Sequence, residues 1–158
     1  MGLYKTMLDY SLIEIAPAEE SLREFSYRVK KAAEGDYITE MFGWDEAEQR
    51  KFHTRDWEQK RPMIISLGGE PVGMIYIGEN EDCIEIGQFF ILPEYQKRGI
   101  GTHVLRQVLD RADRSGLTIK LAHLRNNPAA SLYRRHGFKA VEANEQFFFT
   151  ERSPNNTD

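Results

Sequence analysis

The sequence predicts a single-domain α/β fold of about seven strands and four helices over residues 1–152, followed by a polar tail at 153–158. Three observations carry that prediction. Strand-like and helix-like segments follow one another in the order β-α-α-β-β-β-α-β-α-β-β. At the centre, residues 84–92 form a β-branched and aromatic run, Pro93 stops it, and a basic glycine turn opens a helix. That helix places Ile100, Val104, Leu105, Val108, Leu109 and Ala112 at helical spacing along one face. The length of 158 residues suits one well-filled core, and 41% hydrophobic with 29% charged residues is the balance of a soluble globular chain.

Taken in order, residues 8–16 hold Tyr10, Leu12, Ile13 and Ile15 before Pro17 and predict a first strand. A helix is predicted from residue 18 or 19 to 33, with Leu22, Phe25, Tyr27, Val29 and Ala33 among its apolar positions and Gly35 closing it. Residues 37–43 read as a connector rich in Tyr37, Met41 and Phe42. A second helix opens at Trp44-Asp45-Glu46-Ala47 and runs through Phe52 towards Trp57, with Asp45 and Glu48 in a capping-box arrangement. Residues 62–67 and 71–77 predict a strand pair joined at Gly68-Gly69-Glu70, and 78–82 turn into the central strand. Gly116 ends the long helix, and 118–124 predict a strand. Pro128 suits the first turn of a short helix ending at His136, before strands at 138–143 and 146–151. The tail Ser153-Pro154-Asn155-Asn156-Thr157-Asp158 reads as frayed.

The glycine turn has a chemical use. Unpaired N–H groups and the helix dipole make a helix start attractive to anions. Gly99 and Gly101 let a phosphate approach the backbone, and Lys97 and Arg98 add charge. The alternative is an ordinary solvated loop with two glycines. A Walker loop is excluded because Thr102-His103 follows the glycines with no Gly-Lys pair, and a dinucleotide fingerprint fails at Val104.

Gln96-x-x-Gly99-x-Gly101 after Ile-Leu-Pro resembles the acetyl-CoA pyrophosphate loop of the GNAT family of N-acetyltransferases. A second stretch, Asn126-x-x-Ala129-x-x-Leu132-Tyr133-x-x-x-Gly137-Phe138, is similar to another signature of that family. The likeness covers nearly the whole chain and is weakest before Arg61. It implies a mixed, mostly antiparallel sheet that splays between its fourth and fifth strands. The implied activity is direct transfer of the acetyl group of acetyl-CoA, a co-substrate, to a primary amine of a small molecule or peptide, with no metal. A catalytically inactive acyl-CoA-binding sensor or scaffold is the alternative.

The same resemblance implies roles for particular residues. Tyr133 stands where the family places a tyrosine near the thioester sulfur, and a phenol is a donor at neutral pH; the other reading is a core tyrosine. Glu85 lies eleven residues before Gln96, the offset of the glutamate base in the histone-acetylating branch. Other branches use ordered water or the amine's free-base fraction, and Glu85 also reads as a surface residue. Phe89, Phe90 and Ile91 match the strand whose backbone pairs with pantetheine, while their side chains read as core. The loop positions Gln96, Lys97, Arg98, Gly99, Ile100, Gly101 and Thr102 match the pyrophosphate site. Asn126 matches the asparagine on the pantetheine arm, with Asn127 a register away, and either also serves as a turn residue before Pro128. Tyr37-x-x-Glu40-x-Phe42-Gly43-Trp44 resembles a pattern in a bacterial branch. Aromatic faces beside Glu40 and Asp45 suit a cationic amine, or else pack the helix caps. Phe147, Phe148 and Phe149 line the same pocket or form a dimer edge.

Composition narrows the partners. A net charge of −4 argues against nucleic acid. No apolar run reaches transmembrane length and the first residues lack a signal-peptide core, although Met1-Gly2-Leu3-Tyr4-Lys5-Thr6 fits the loose myristoylation pattern without a second membrane signal. A lone Cys83 excludes an internal disulfide and suits the cytoplasm. His53, His103, His123 and His136 show no metal-ligand spacing. Dimers are frequent in the family, so a homodimer is allowed.

Overall fold

A computed structural model describes residues 8–155 and builds them on one seven-stranded sheet. Chain order gives β1 (Ile13–Pro17), α1 (Arg23–Phe42), α2 (Glu46–Gln59), β2 (Met63–Leu67), β3 (Glu70–Glu79) and β4 (Cys83–Ile91). Next come α3 (Ile100–Ser115), β5 (Thr118–Leu124), α4 (Ala130–Arg135), β6 (Lys139–Ala143) and β7 (Phe147–Arg152). Across the sheet the order is β1-β2-β3-β4-β5-β7-β6, with only β4 and β5 parallel. The single α/β domain with a mixed, mostly antiparallel sheet and four helices is the architecture that the resemblance implied.

Strand alternation divides the core between two faces. Ile65, Val72, Ile75, Ile84 and Ile86 meet Ile100, Val104, Leu105 and Val108 of α3 on one side. Their neighbours Ile64 and Met74 turn to the other side and meet Val29 and Trp57 of α1 and α2. The six apolar positions of α3 read from the sequence are all buried, and Gly116 closes the helix in the left-handed conformation. Asp45 caps α2, its carboxylate accepting the Glu48 N–H at 3.0 Å.

Two boundaries differ from the sequence reading. Helix α1 passes through Gly35 and stops only at Gly43, which takes φ +76° and donates its N–H to Thr39 O. The indole of Trp44 lies where a β-carbon on Gly35 would meet it at 3.8 Å, and Ile38 beyond it is buried. Those contacts outweigh the cost of about 1 kcal/mol for an interior glycine. The residues read as a connector are therefore the last turns of α1. At the start, Tyr10–Leu12 form a 3-10 turn capped by Asp9, and β1 begins only at Ile13.

Two irregularities open the middle of the sheet. Pairing of β4 with β5 runs from Cys83 to Ile86 and ends there, so the strands part beyond Ile86 and Leu121. Within β4, Tyr76 faces Gly87 and Met74 faces Phe90, leaving Gln88 and Phe89 opposite Ile75 alone. Gln88 adopts φ +46° at this bulge. No helix among the described residues is long and apolar enough to cross a membrane. The myristoylation-type pattern at residues 1–6 and the tail residues 156–158 lie outside the described residues, and the Asn155 N–H donates to Asp113 Oδ1 at 2.7 Å.

Candidate active site

The loop between β4 and α3 is held by its own residues. Gln96 Nε2 donates to Ile91 O at 2.8 Å, tying the turn to the strand end. Lys97 and Gly99 are left-handed at φ +62° and +85°, which folds the backbone tightly ahead of the helix. The first backbone bond of α3 is His103 N–H to Gly99 O, so the N–H groups of Ile100, Gly101 and Thr102 have no helical partner. Tyr10 braces the turn from outside: its hydroxyl donates to Arg98 O at 3.0 Å, and its ring stacks on His103.

Two cavities flank the splayed strand. One, of 360 Å³, is lined by Phe89, Phe90, Ile91, Gln96, Lys97, Gly99, Ile100, Gly101 and Thr102, with Asn127 and Tyr133 across from them. The other, of 690 Å³, runs under α1 and α2 and along β5 and β7. Glu34, Phe89, Phe90, Asn127 and Tyr133 line both. Tyr133 is only 5% exposed, lies within aromatic contact of His123 and Phe138, and burial raises its hydroxyl above the ordinary phenol range. It is thus protonated at every physiological pH.

Residues 26–138 match the family model described as the acetyltransferase (GNAT) family. The chain belongs to that family. An uncharacterized N-acetyltransferase of Methanocaldococcus jannaschii is 27% identical over an alignment of 99 residues that covers 54% of this chain. The match takes in 44% of that relative, so the chain spans less than half the length of the curated relative it resembles. The GNAT fold itself recurs in solved structures. PaiA N-acetyltransferase from Thermoplasma acidophilum, crystallised with coenzyme A, superposes with a TM-score of 0.71 at 17% identity, over 89% of this chain and 98% of that one. A GNAT acetyltransferase from Elizabethkingia anophelis with acetyl-CoA bound gives 0.66 at 12% identity, over 90% of this chain and 98% of that one.

Other sequence-singled residues of this GNAT chain fall in different places. Arg98 and Asn126 line neither cavity. Asn126 Nδ2 donates to Tyr37 O at 3.2 Å, while its Oδ1 is buried without a partner. Asn127 Oδ1 is taken by the Ala129 N–H at 2.9 Å. Glu85, half exposed, accepts from Lys60 Nζ at 2.7 Å, and that bond raises the lysine's affinity for its proton. It lines a third cavity of 540 Å³ with Lys60, Tyr76, Lys120 and Glu151, which borders the larger one at Ile86, Gly87, Gln88, Leu121 and Ala122.

The acceptor-side residues divide as well. Phe42 and Trp44 line the 690 Å³ cavity with Asp45, whereas Tyr37 lines the smaller cavity and Glu40 lines neither. Trp44 is held by its indole N–H, which donates to Glu46 at 2.7 Å and, with Lys31 and Tyr27, lowers that carboxyl to about 2. Phe147 reaches the large cavity and Phe149 the third one. Phe148 instead packs on His123 under the Arg125 guanidinium.

Several lining residues escaped the sequence reading. Lys30, Glu34 and Ile38 continue one stripe of α1 into the large cavity, where Gln49, Phe52 and Asp56 of α2 meet them. Their signal was present as a Lys30/Glu34 pair four residues apart beside Ser26 and Ile38. It is invisible when the helix is ended at residue 33.

Proposed function

We propose that the protein transfers the acetyl group of acetyl-CoA to a primary amine, the two substrates meeting at the wall shared by the 360 and 690 Å³ cavities. The observation that carries this reading is that shared wall: a phosphate-type turn and a splayed strand on one side, an aromatic and acidic cavity on the other, and Tyr133 on both. The chain's residues fit acetyl-CoA at two further points. The N–H groups that open α3 offer donors to a pyrophosphate. Phe89, Phe90 and Ile91 lie where β4 has lost its β5 partner, so their backbone is free to pair with an extended ligand.

An alkyl amine with a pKa of ~10.4 is free base in only about one molecule in 2,500 at pH 7, a handicap of roughly 4.6 kcal/mol. Tyr133, kept protonated by burial, donates to the sulfur as the carbon–sulfur bond breaks. The family resemblance would put the proton acceptor at Glu85, but that carboxylate is paired with Lys60 and lines the third cavity, so this reading leaves the acceptor to a group at the shared wall. Asp45, Glu48 and Asp56, with Phe42, Trp44 and Phe52 around them, favour a cationic acceptor. The half-buried free thiol of Cys83 is consistent with work in a reducing cytoplasm.

Free-thiol release from acetyl-CoA, followed across an aliphatic diamine, an aminoglycoside, an amino-acid amide and a lysine peptide, tests this function. Amine-dependent release is expected. Acetyl-CoA binding without release from any acceptor would instead favour a sensor.

A further inference from the structure

Five residues line both cavities, and Glu34 is the only carboxylate among them. It projects from α1, whose continuation past Gly35 carries this helix across the mouth of the splay. Its side chain is 16% exposed, against 47% for Glu85. Lys30, one turn earlier and 6% exposed, holds Nζ 3.0 Å from Glu34 Oε1 and donates to Gln49 Oε1 at 2.9 Å. One oxygen of Glu34 is therefore pinned, and the other accepts no hydrogen bond from the described residues. A carboxylate fixed on one edge and open on the other, at the boundary between two substrate cavities, is placed to receive a proton from whatever reacts there.

We propose that Glu34 takes the proton from the attacking amine, a role that rests on the acetyl transfer proposed above. The ammonium gives one proton to Glu34. The nitrogen lone pair so freed bonds to the thioester carbonyl carbon, and the carbon–sulfur bond breaks with its electron pair on sulfur. Tyr133 gives its hydroxyl proton to that sulfur and regains one from the nitrogen through solvent in the cavity. The product amide keeps the remaining proton, and Glu34 returns its own to water. Atoms and charge balance: one ammonium and one thioester give one amide, one thiol and one proton.

The surroundings suit a base at neutral pH. Burial raises the Glu34 carboxyl above its ordinary range, with the Lys30 ammonium opposing. Of the titratable groups around it, Lys30 lies against it on α1 and Asp56 faces it from α2. Tyr133 and His123 complete its cavities from α4 and β5. A raised carboxyl pKa brings the acceptor closer to the donor amine, so proton transfer is less uphill than to a solvated glutamate.

The test compares Glu34→Gln with Glu85→Gln, using acetyl-CoA and whichever of the four acceptors above the wild-type protein turns over fastest. Glutamine keeps the size and can still accept from Lys30. Glu34→Gln is expected to lower kcat/KM about a hundredfold at pH 7. The deficit should shrink as pH rises towards the amine's own pKa, and calorimetric affinity for acetyl-CoA should change less than twofold. Glu85→Gln should stay within about threefold with the wild-type pH profile. A Glu34→Gln enzyme with wild-type rate and profile overturns the assignment, as does a loss that is equal at all pH values or a larger loss in Glu85→Gln. A wild-type protein that releases no thiol with any acceptor overturns the transferase reading, and this role with it.

Discussion

At Gly99 the chain permits no side chain. Its φ of +85° is one that L-residues rarely adopt, and an added Cβ would run into the hydroxyl of Tyr10, which is bonded to the neighbouring Arg98 carbonyl. Gly99→Ala should therefore push Tyr10 out and loosen the turn, lowering acetyl-CoA affinity about tenfold, or ~1.4 kcal/mol. Adding Tyr10→Phe removes the clashing oxygen and should recover part of that loss. Calorimetric titration of the single and double variants decides it; wild-type affinity in Gly99→Ala would mean that the turn does not hold the cofactor. Gln96 and Gly99 stood out in the sequence as part of a glycine turn before a helix, and Tyr133 stood out only through the family resemblance. Lys30 and Glu34 did not, because a charged pair four residues apart is ordinarily read as a solvated helix face.

The pair α1 and α2 carries most of the polar burial, and its chemistry sets a pH limit. Ser26 Oγ donates to Arg23 O at 2.8 Å and lies 2.6 Å from His53 Nε2, so the imidazole supplies the proton of the second bond and carries it on Nε2. His53 is 6% exposed, and burial, followed by the charges of Arg23, Lys30 and Arg50, lowers its pKa to about 4. The unfolded chain takes up this proton near pH 6.5 and the folded one only near 4. Between those values the unfolded state binds more protons, so stability should fall as pH drops from 6.5 to 4, by of order 2 kcal/mol. Urea unfolding at several pH values should show that slope, flattened in His53→Gln. An unchanged slope in the variant would remove His53 from the account. The element boundaries explain what the sequence hid. Gly35 and the aromatic run after it look like a stop and a loop, and only the indole of Trp44 lying over Gly35 shows why the helix continues.

Across the whole molecule, the sheet was readable in its parts and less so in its joints. Strand positions, the long helix and its Gly116 cap follow from local pattern, since each rests on contacts close in sequence. The Gln88 bulge and the parting of β4 from β5 depend on partners more than ten residues away, and the family resemblance supplied the splay where periodicity alone did not. Those joints make the site: they leave a strand edge open, and α1 and α4 bring Glu34 and Tyr133 to it from opposite sides of the chain. The central claim is that acetyl transfer occurs at this wall with Tyr133 as the proton donor. The most direct measurement is thiol release from acetyl-CoA by wild-type and Tyr133→Phe protein with the best acceptor, alongside calorimetric acetyl-CoA binding by each. The account predicts a fall in kcat of at least about tenfold with affinity unchanged, since the phenol acts on the departing sulfur. Equal turnover in the two proteins would contradict it.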